Sequence, residues 1–178
     1  ELVNTNTSQL DISGYTISDG AGLKHTFPEN TVLDGGKAVV VFGGGSPTGD
    51  FGGATVQTAT GGSLSLNNNG DKVVINDADG NTIIEFAWGG STIYDGGADQ
   101  SLTRDPDLTG DFILHTTTVA GGTYSPGTQS DGSAFDVGLN EPTSVQFSSN
   151  EVTLANSDGS YDTGDFEIVV EISNPSAS

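Results

Sequence analysis

The chain contains no cysteine, so its 178 residues can form neither a disulfide framework nor a cysteine-based metal site. Basic residues are also scarce: four Lys and Arg stand against 24 Asp and Glu, which gives a formal net charge of -20 at pH 7. A surface of this charge repels phosphate backbones and anionic lipids, which excludes nucleic-acid binding through a basic patch. No apolar run approaches the length of a membrane-spanning helix.

Glycine, in contrast, is frequent, with 27 residues, and short β-branched runs alternate with turn residues along the whole chain. No apolar face repeats at helical spacing over ten or more residues, so the pattern predicts an all-β protein. The acidic residues are single and mostly lie in turns, which indicates a solvated acidic surface rather than an acidic tail.

Four segments carry the clearest strand signals. DKVVIND and NTIIEFAW, at 71–77 and 81–88, are β-branched runs separated by a short turn and predict a hairpin. KAVVVF, at 37–42, is apolar on both faces and predicts a strand buried between layers. LDISGYTI, at 10–17, alternates but is interrupted by Gly14, which predicts a strand with a kink or bulge.

Five segments in order resemble the bacterial members of the lamin tail domain family: ELVNTNTSQLDISGYTISDG, HTFPENTVLDGGKAVVVF, GGSLSLNNNGDKVVINDADGNTIIEFAW, QSLTRDPDLTGDFILHTT and TYSPGT. The resemblance covers roughly residues 1–128 and implies an immunoglobulin-like β-sandwich. It also implies an accessory module of a large secreted or surface protein. Family members usually have one more strand before the segment that matches ELVN, so we expect residues 1–128 to lack that first strand, which invites pairing with another segment.

The composition changes after residue 128. Residues 129–144 are expected to form a linker, and residues 145–178 resemble the opening of a Calx-β domain, a β-sandwich repeat of surface proteins that can bind calcium. This tail predicts a partial second β unit at the C-terminal end of the chain. Two such strands are marginally stable by themselves.

The turn NDADGN offers one calcium candidate. Asp77 and Asp79 alternate in the way of oxygen ligands at the start of a calcium loop, but the twelfth position, which needs a bidentate Glu, is Trp88. A hairpin turn requires the same Asp and Gly residues, and we prefer that interpretation.

A second candidate surrounds Arg104, the single arginine of the sequence, which is followed by three acidic residues: Asp105, Asp107 and Asp111. Their spacing also suits calcium. The preferred interpretation is structural: Arg104 donates hydrogen bonds to a carboxylate or to loop carbonyls and neutralises part of the acidic turn, with Pro106 fixing φ and Gly110 relieving strain.

Catalytic motifs are lacking. His25 and His115 have no second metal-ligand histidine at a recognised spacing, and no G-x-S-x-G elbow is present. An enzyme would require His115 to meet two or more of the aspartates in a cleft. Trp88, with Phe86 and Tyr94, could stack on a sugar ring, but a lone Trp in a β-sandwich is more often a core residue, so we expect a structural role.

The sequence therefore predicts a non-catalytic spacer or adhesion module of a large secreted or cell-surface bacterial protein. The alternative is a module that binds carbohydrate or another surface polymer, with calcium as the single cofactor left open, and that anchors an attached hydrolase or nuclease. The expected partners are neighbouring domains of the same polypeptide, or a protein or polysaccharide at a cell surface, with no nucleic acid and no membrane insertion.

Overall fold

The computed structural model of the chain describes residues 1–90, 99–135 and 137. Within these ranges every regular element is a strand, apart from two 3-10 turns at Phe51–Gly53 and His115–Thr117. The predicted all-β class is therefore confirmed. None of the described residues belongs to a helix that is long and apolar enough to cross a membrane.

The strands are short and follow one another with brief connections. In chain order they are β1 Leu2–Val3, β2 Leu10–Asp11, β3 Thr16–Asp19, β4 Gly22–Thr26, β5 Val32–Leu33, β6 Ala38–Phe42, β7 Thr55–Thr58, β8 Gly70–Asn76, β9 Thr82–Gly89, β10 Leu102–Asp105 and β11 Asp111–Leu114.

Two sheets form the layers of the sandwich. One has four antiparallel strands in the order β4-β3-β8-β9, and the other has three strands in the order β1-β6-β7, in which β6 and β7 are parallel. The pairs β2–β5 and β10–β11 form two smaller ribbons. Strands β4 and β9 are the edges of the larger sheet, and β1 and β7 are the edges of the smaller one.

The core lies between the two layers. Ile17 of β3 pairs directly with Ile75 of β8, and both side chains belong to one buried cluster with Val39 of β6, which is 0% exposed. Phe27, which follows β4, is 1% exposed and belongs to the same cluster. Burying a side chain of this kind contributes about 1.5–3 kcal/mol relative to leaving it in water.

The side chain of His25 joins the two sheets at the edge formed by β4 and β7. His25 of β4 is buried, with Nε2 2.9 Å from Oε1 of Gln57 on β7 and Nδ1 3.1 Å from Oγ1 of Thr60. Because Oε1 can only accept, Nε2 carries the proton and Nδ1 accepts from the threonine hydroxyl. Gln57 Nε2 in turn donates to Thr31 Oγ1 at 3.4 Å.

The local predictions for strands are confirmed. The predicted hairpin is β8–β9, paired from Gly70 to Asn76, and KAVVVF forms β6 with three buried residues. Gly14, with φ of 76°, lies at the predicted interruption, but residues 10–17 form two strands, β2 and β3, that pair in different sheets rather than one kinked strand. Residues 138–178, which include the segment that resembles a Calx-β domain, lie outside the described residues, and the expected first strand before residue 1 stays a prediction.

We expect Ile75→Val to lower the free energy of unfolding by about 1 kcal/mol, because it removes a buried methylene and leaves a small cavity. The matched control is Ile83→Val on the adjacent strand β9, where the side chain is 54% exposed. Urea denaturation of both variants measures the difference. Equal losses at the two positions would contradict the assignment of the core.

We expect Gln57→Ala to cost about 1–3 kcal/mol, because it leaves the buried Nε2–H of His25 without an acceptor. The control is Gln9→Ala, which removes an exposed hydrogen bond of 2.7 Å to Asp34 and should change stability by less than about 0.5 kcal/mol. Thermal unfolding of the two variants tests this. If Gln57→Ala loses no more stability than the control, the hydrogen bond of His25 does not join the sheets.

Candidate functional site

The segment that carries Arg104 forms an antiparallel hairpin. Strands β10 and β11 pair Leu102 with Leu114, Arg104 with Phe112 and Asp105 with Asp111. The connecting turn follows a cis peptide bond between Asp105 and Pro106, and Gly110 N donates to Pro106 O at 2.7 Å.

Arg104 is held by a carbonyl and an aromatic ring. Its Nη1 donates to Gly110 O at 2.7 Å, and its Cζ lies 4.3 Å from the centre of the Phe112 ring. Of the two partners expected for Arg104, a carboxylate or loop carbonyls, the structure has the carbonyl; no ion pair with the acidic turn is formed, since the ion pairs of the described residues are Lys24–Asp19 and Lys72–Glu85. The reason is strand alternation: Arg104 shares one hairpin face with Phe112, which places the adjacent pair of carboxylates on the other face.

The acidic residues of this turn do not form one site. Asp105 and Asp111 are opposite one another and exposed. Asp107 turns away to a later segment, where its Oδ1 accepts from Ser130 N at 3.1 Å and its Oδ2 from Ser130 Oγ at 3.0 Å. Asp107 therefore attaches the hairpin to the turn at 129–133.

Gly110 is required by close approach of the backbone. A Cβ atom built on this residue would overlap the carbonyl carbon and oxygen of Asp105 and the nitrogen of Pro106. The glycine therefore lets the two ends of the turn come together and presents its own carbonyl to Arg104.

We expect Gly110→Ala to destabilise the chain by about 1–3 kcal/mol, because the turn must open to admit the methyl group. The control is Gly61→Ala, where the nearest atom to the new Cβ, Lys24 O, is 3.8 Å away. Thermal unfolding measures both. If Gly110→Ala loses no more stability than Gly61→Ala, the two ends of the turn do not approach as closely as described.

His115 makes a buried contact with a serine, not with an aspartate. The side chain is 1% exposed at the start of the second 3-10 turn, and its Nε2 lies 3.0 Å from Ser125 Oγ. Its Nδ1 has no hydrogen-bond partner within the described residues. A catalytic triad requires an acid on that nitrogen, so this His–Ser pair lacks the group that would orient the imidazole.

The Asp77 carboxylate is occupied by its own turn. Its Oδ1 accepts from the backbone N–H of Asp79 and Asn81 at 3.0 and 2.7 Å, and its Oδ2 accepts from Asn81 Nδ2 at 2.9 Å. The hydrogen bonds from Asn81, first from its side chain and then from its backbone, lower the pKa of Asp77 from the usual 3.8. The residue closes the β8–β9 hairpin.

Across residues 1–90, 99–135 and 137, no three His, Asp or Glu side chains come together as a ligand set for a metal ion. The five calcium candidates from the sequence are thus distributed over separate turns: Asp77, Asp79, Asp105, Asp107 and Asp111. Calcium binding at any of them stays a prediction.

We expect Asp77→Asn to destabilise the chain at neutral pH and much less in strong acid. Since the pKa of Asp77 is lowered in the folded state, its stabilising contribution is present above the unfolded value and disappears as pH falls through the folded value. Urea midpoints at the two pH values measure this. The control is Asp79→Asn, whose side chain accepts no hydrogen bond in the described structure, and equal pH dependence in both variants would contradict the prediction.

Trp88 corrects another expectation, because it is half-buried and lies outside the buried core. Its Nε1 donates to Asn67 O at 2.8 Å, and its ring is stacked on Phe86 at 23° and 6.3 Å. The ring centre of Phe86 also lies 4.1 Å from that of Phe112 in the hairpin. Trp88 faces a cleft instead of the core because it lies at the end of an edge strand, and Tyr94 is outside the described residues.

That cleft lies between the layers, at the edge formed by β1 and β9, and has a volume of about 790 Å³. Its wall includes side chains from both sheets and from the β10–β11 hairpin, among them Leu2, Val41, Val73, Phe86, Arg104 and Phe112. The sequence indicated Arg104 and Trp88 separately, but no pattern in it indicated that they line one cleft. Their common wall arises from long-range pairing.

Two packed β layers with a shared apolar core define an immunoglobulin-like β-sandwich, as the sequence predicted. The family model of the Lamin Tail Domain matches residues 1–90, and the chain belongs to this family. Lamin tail domains are interaction domains that are generally non-catalytic. No curated protein matches the chain. The predicted resemblance is thus confirmed for the lamin tail domain, whereas the Calx-β resemblance of residues 145–178 stays a prediction.

Proposed function

We propose that this chain is a non-catalytic interaction module, a spacer or adhesion domain, of a large secreted or cell-surface bacterial protein. The observation that carries the proposal is the lamin tail domain match over residues 1–90. The geometry of several polar groups agrees with it, because Asp77 and Asp107 accept hydrogen bonds from turn groups and His25 bridges Gln57 and Thr60.

The charge of the chain supports an exposed, well-solvated position. Hydrogen bonds from nearby turn residues lower the pKa values of Asp11, Asp71, Asp77 and Asp131, and the pKa of Asp19 is lowered first by its contact with Lys24 and then by turn N–H groups. These five carboxylates therefore stay ionised to lower pH than ordinary aspartates do, and at pH 7 the formal net charge of the chain is -20. A polyanionic surface of this kind keeps a module soluble and discourages unspecific contact with nucleic acid and anionic membranes.

The non-catalytic part is tested by incubating the purified chain with panels of esters, glycosides and nucleic acids. The matched control is His115→Gln, which removes the buried imidazole next to Ser125. We expect both proteins to give the background rate. Turnover by the natural chain that disappears in the variant would overturn the proposal.

The cellular part is tested on intact bacteria that make the natural full-length protein. We expect an antibody against this chain to label intact cells or to detect the protein in the medium. Signal that appears only after lysis would contradict a secreted or surface position. The expected partners are adjacent domains of the same polypeptide, or a protein or polysaccharide at that surface.

A second candidate is binding of carbohydrate or another surface polymer, with or without calcium, next to an attached hydrolase or nuclease. Its support is the half-buried Trp88 ring stacked with Phe86 at the cleft. Calorimetry against surface polysaccharides, with calcium and with EDTA, tests it together with Trp88→Ala. Heat that is lost in the variant supports the candidate, and no heat in any condition eliminates it.

A further inference from the structure

The cleft at the β1–β9 edge has the dimensions and the lining of a small-molecule site. Its volume of about 790 Å³ lies within the roughly 300–1,000 Å³ that such sites usually enclose. The walls are mainly aliphatic and aromatic, with side chains of Ile17, Val41, Val73, Ile75, Phe86 and Phe112. Polar side chains such as Arg104 also line the cleft. Polar groups placed among apolar walls orient a mostly apolar ligand.

Arg104 is the side-chain cation of this wall, and among the described residues no carboxylate forms an ion pair with it. Among the described residues its hydrogen bond goes to the neutral Gly110 carbonyl, and its plane rests on Phe112. A guanidinium has five N–H donors in a planar fork, and one donor of Nη1 bonds that carbonyl. The remaining donors suit a ligand carboxylate, which guanidinium groups bind with two parallel hydrogen bonds.

We propose that the cleft binds an amphipathic monocarboxylate, with its carboxylate on Arg104 and its hydrocarbon body along the apolar walls between the sheets. This inference goes beyond the proposed function, because it requires neither a macromolecular partner nor a surface location. It accounts for a half-buried arginine that stands on an aromatic ring without an acidic partner.

The other charges at the cleft restrict the ligand to a single negative charge. Glu1, Asp99 and Asp107 also contribute to the lining. Asp107 is engaged by Ser130 and the Glu1 carboxylate accepts from Gly127 N, but their field and the net charge of -20 oppose polyanions such as phosphate esters. One carboxylate attached to a large apolar body gains most from the walls and is repelled least.

The test uses dansyl-aminoundecanoic acid and its methyl ester with the full chain, because the dansyl group becomes fluorescent in apolar surroundings. We expect saturable binding of the acid below its micelle concentration and roughly tenfold weaker binding of the ester, since the ester lacks the charge-assisted hydrogen bonds. Failure of the acid to bind, or equal affinity for the two probes, would overturn the proposal.

Two charge variants locate the carboxylate. Arg104→Gln should weaken binding of the acid by roughly tenfold or more and leave the ester unchanged. Lys37→Gln removes the same charge from an exposed position that is not part of the cleft wall, so it should bind both probes like the natural chain. Equal losses in the two variants would show a nonspecific charge effect and refute the role of Arg104.

Two further variants distinguish a loss of binding from a loss of folding. Arg104→Lys keeps the charge but loses the planar fork, and it should retain part of the preference for the acid. Leu66→Trp narrows the cleft at a residue that is 38% exposed, so the fold should tolerate it while both probes bind more weakly. Unchanged affinity in Leu66→Trp would place the probes elsewhere on the protein, and it would overturn the proposed site.

Discussion

The hydrogen bonds of His25 hold together the two sheets at one edge, and the rest of the sandwich depends on them. The buried imidazole of β4 joins the half-buried Gln57 of β7 and the exposed Thr60 beyond it. Leaving the buried imidazole N–H unpaired would cost about 1–3 kcal/mol, which is more than a typical hydrogen bond contributes, so the join favours this one arrangement of the layers. With β4 and β7 joined, the layers enclose the core, and the cleft lies at the edge formed by β1 and β9.

Several aspartates share one structural role: their carboxylates accept hydrogen bonds from the N–H groups of turns. Asp19 accepts from Ala21 N and Gly22 N and pairs with Lys24 at 2.9 Å, and Asp77 and Asp107 likewise bind N–H groups of turns. A chain with so many short strands exposes many turn N–H groups, and a short carboxylate satisfies them locally. At these positions the aspartate is explained by the turn it closes, so an aspartate in a turn is not by itself a sign of metal binding.

The sequence predicted the local features well and the partners of side chains poorly. The hairpin around Asp77, the buried strand β6 and the break at Gly14 each depend on a few neighbouring residues, so their patterns were sufficient. Arg104 was expected to bond a carboxylate or loop carbonyls, and its strand register left only the second of these, a bond to Gly110 O, and added the Phe112 ring, which no pattern indicated. Trp88 was expected in the core, but its place on an edge strand leaves it half-buried.

By itself, the sequence determined the all-β class, the turn positions and the acidic surface, because glycine geometry, β-branched runs and charge act over a few residues. It also carried the ordered motifs through which the chain belongs to the lamin tail domain family. Only the tertiary structure decided that Glu1 meets Gly127, that Asp107 meets Ser130, and that Arg104 lines a cleft between sheets. These contacts join distant segments, and their register is selected by burial of the shared core rather than by any local preference.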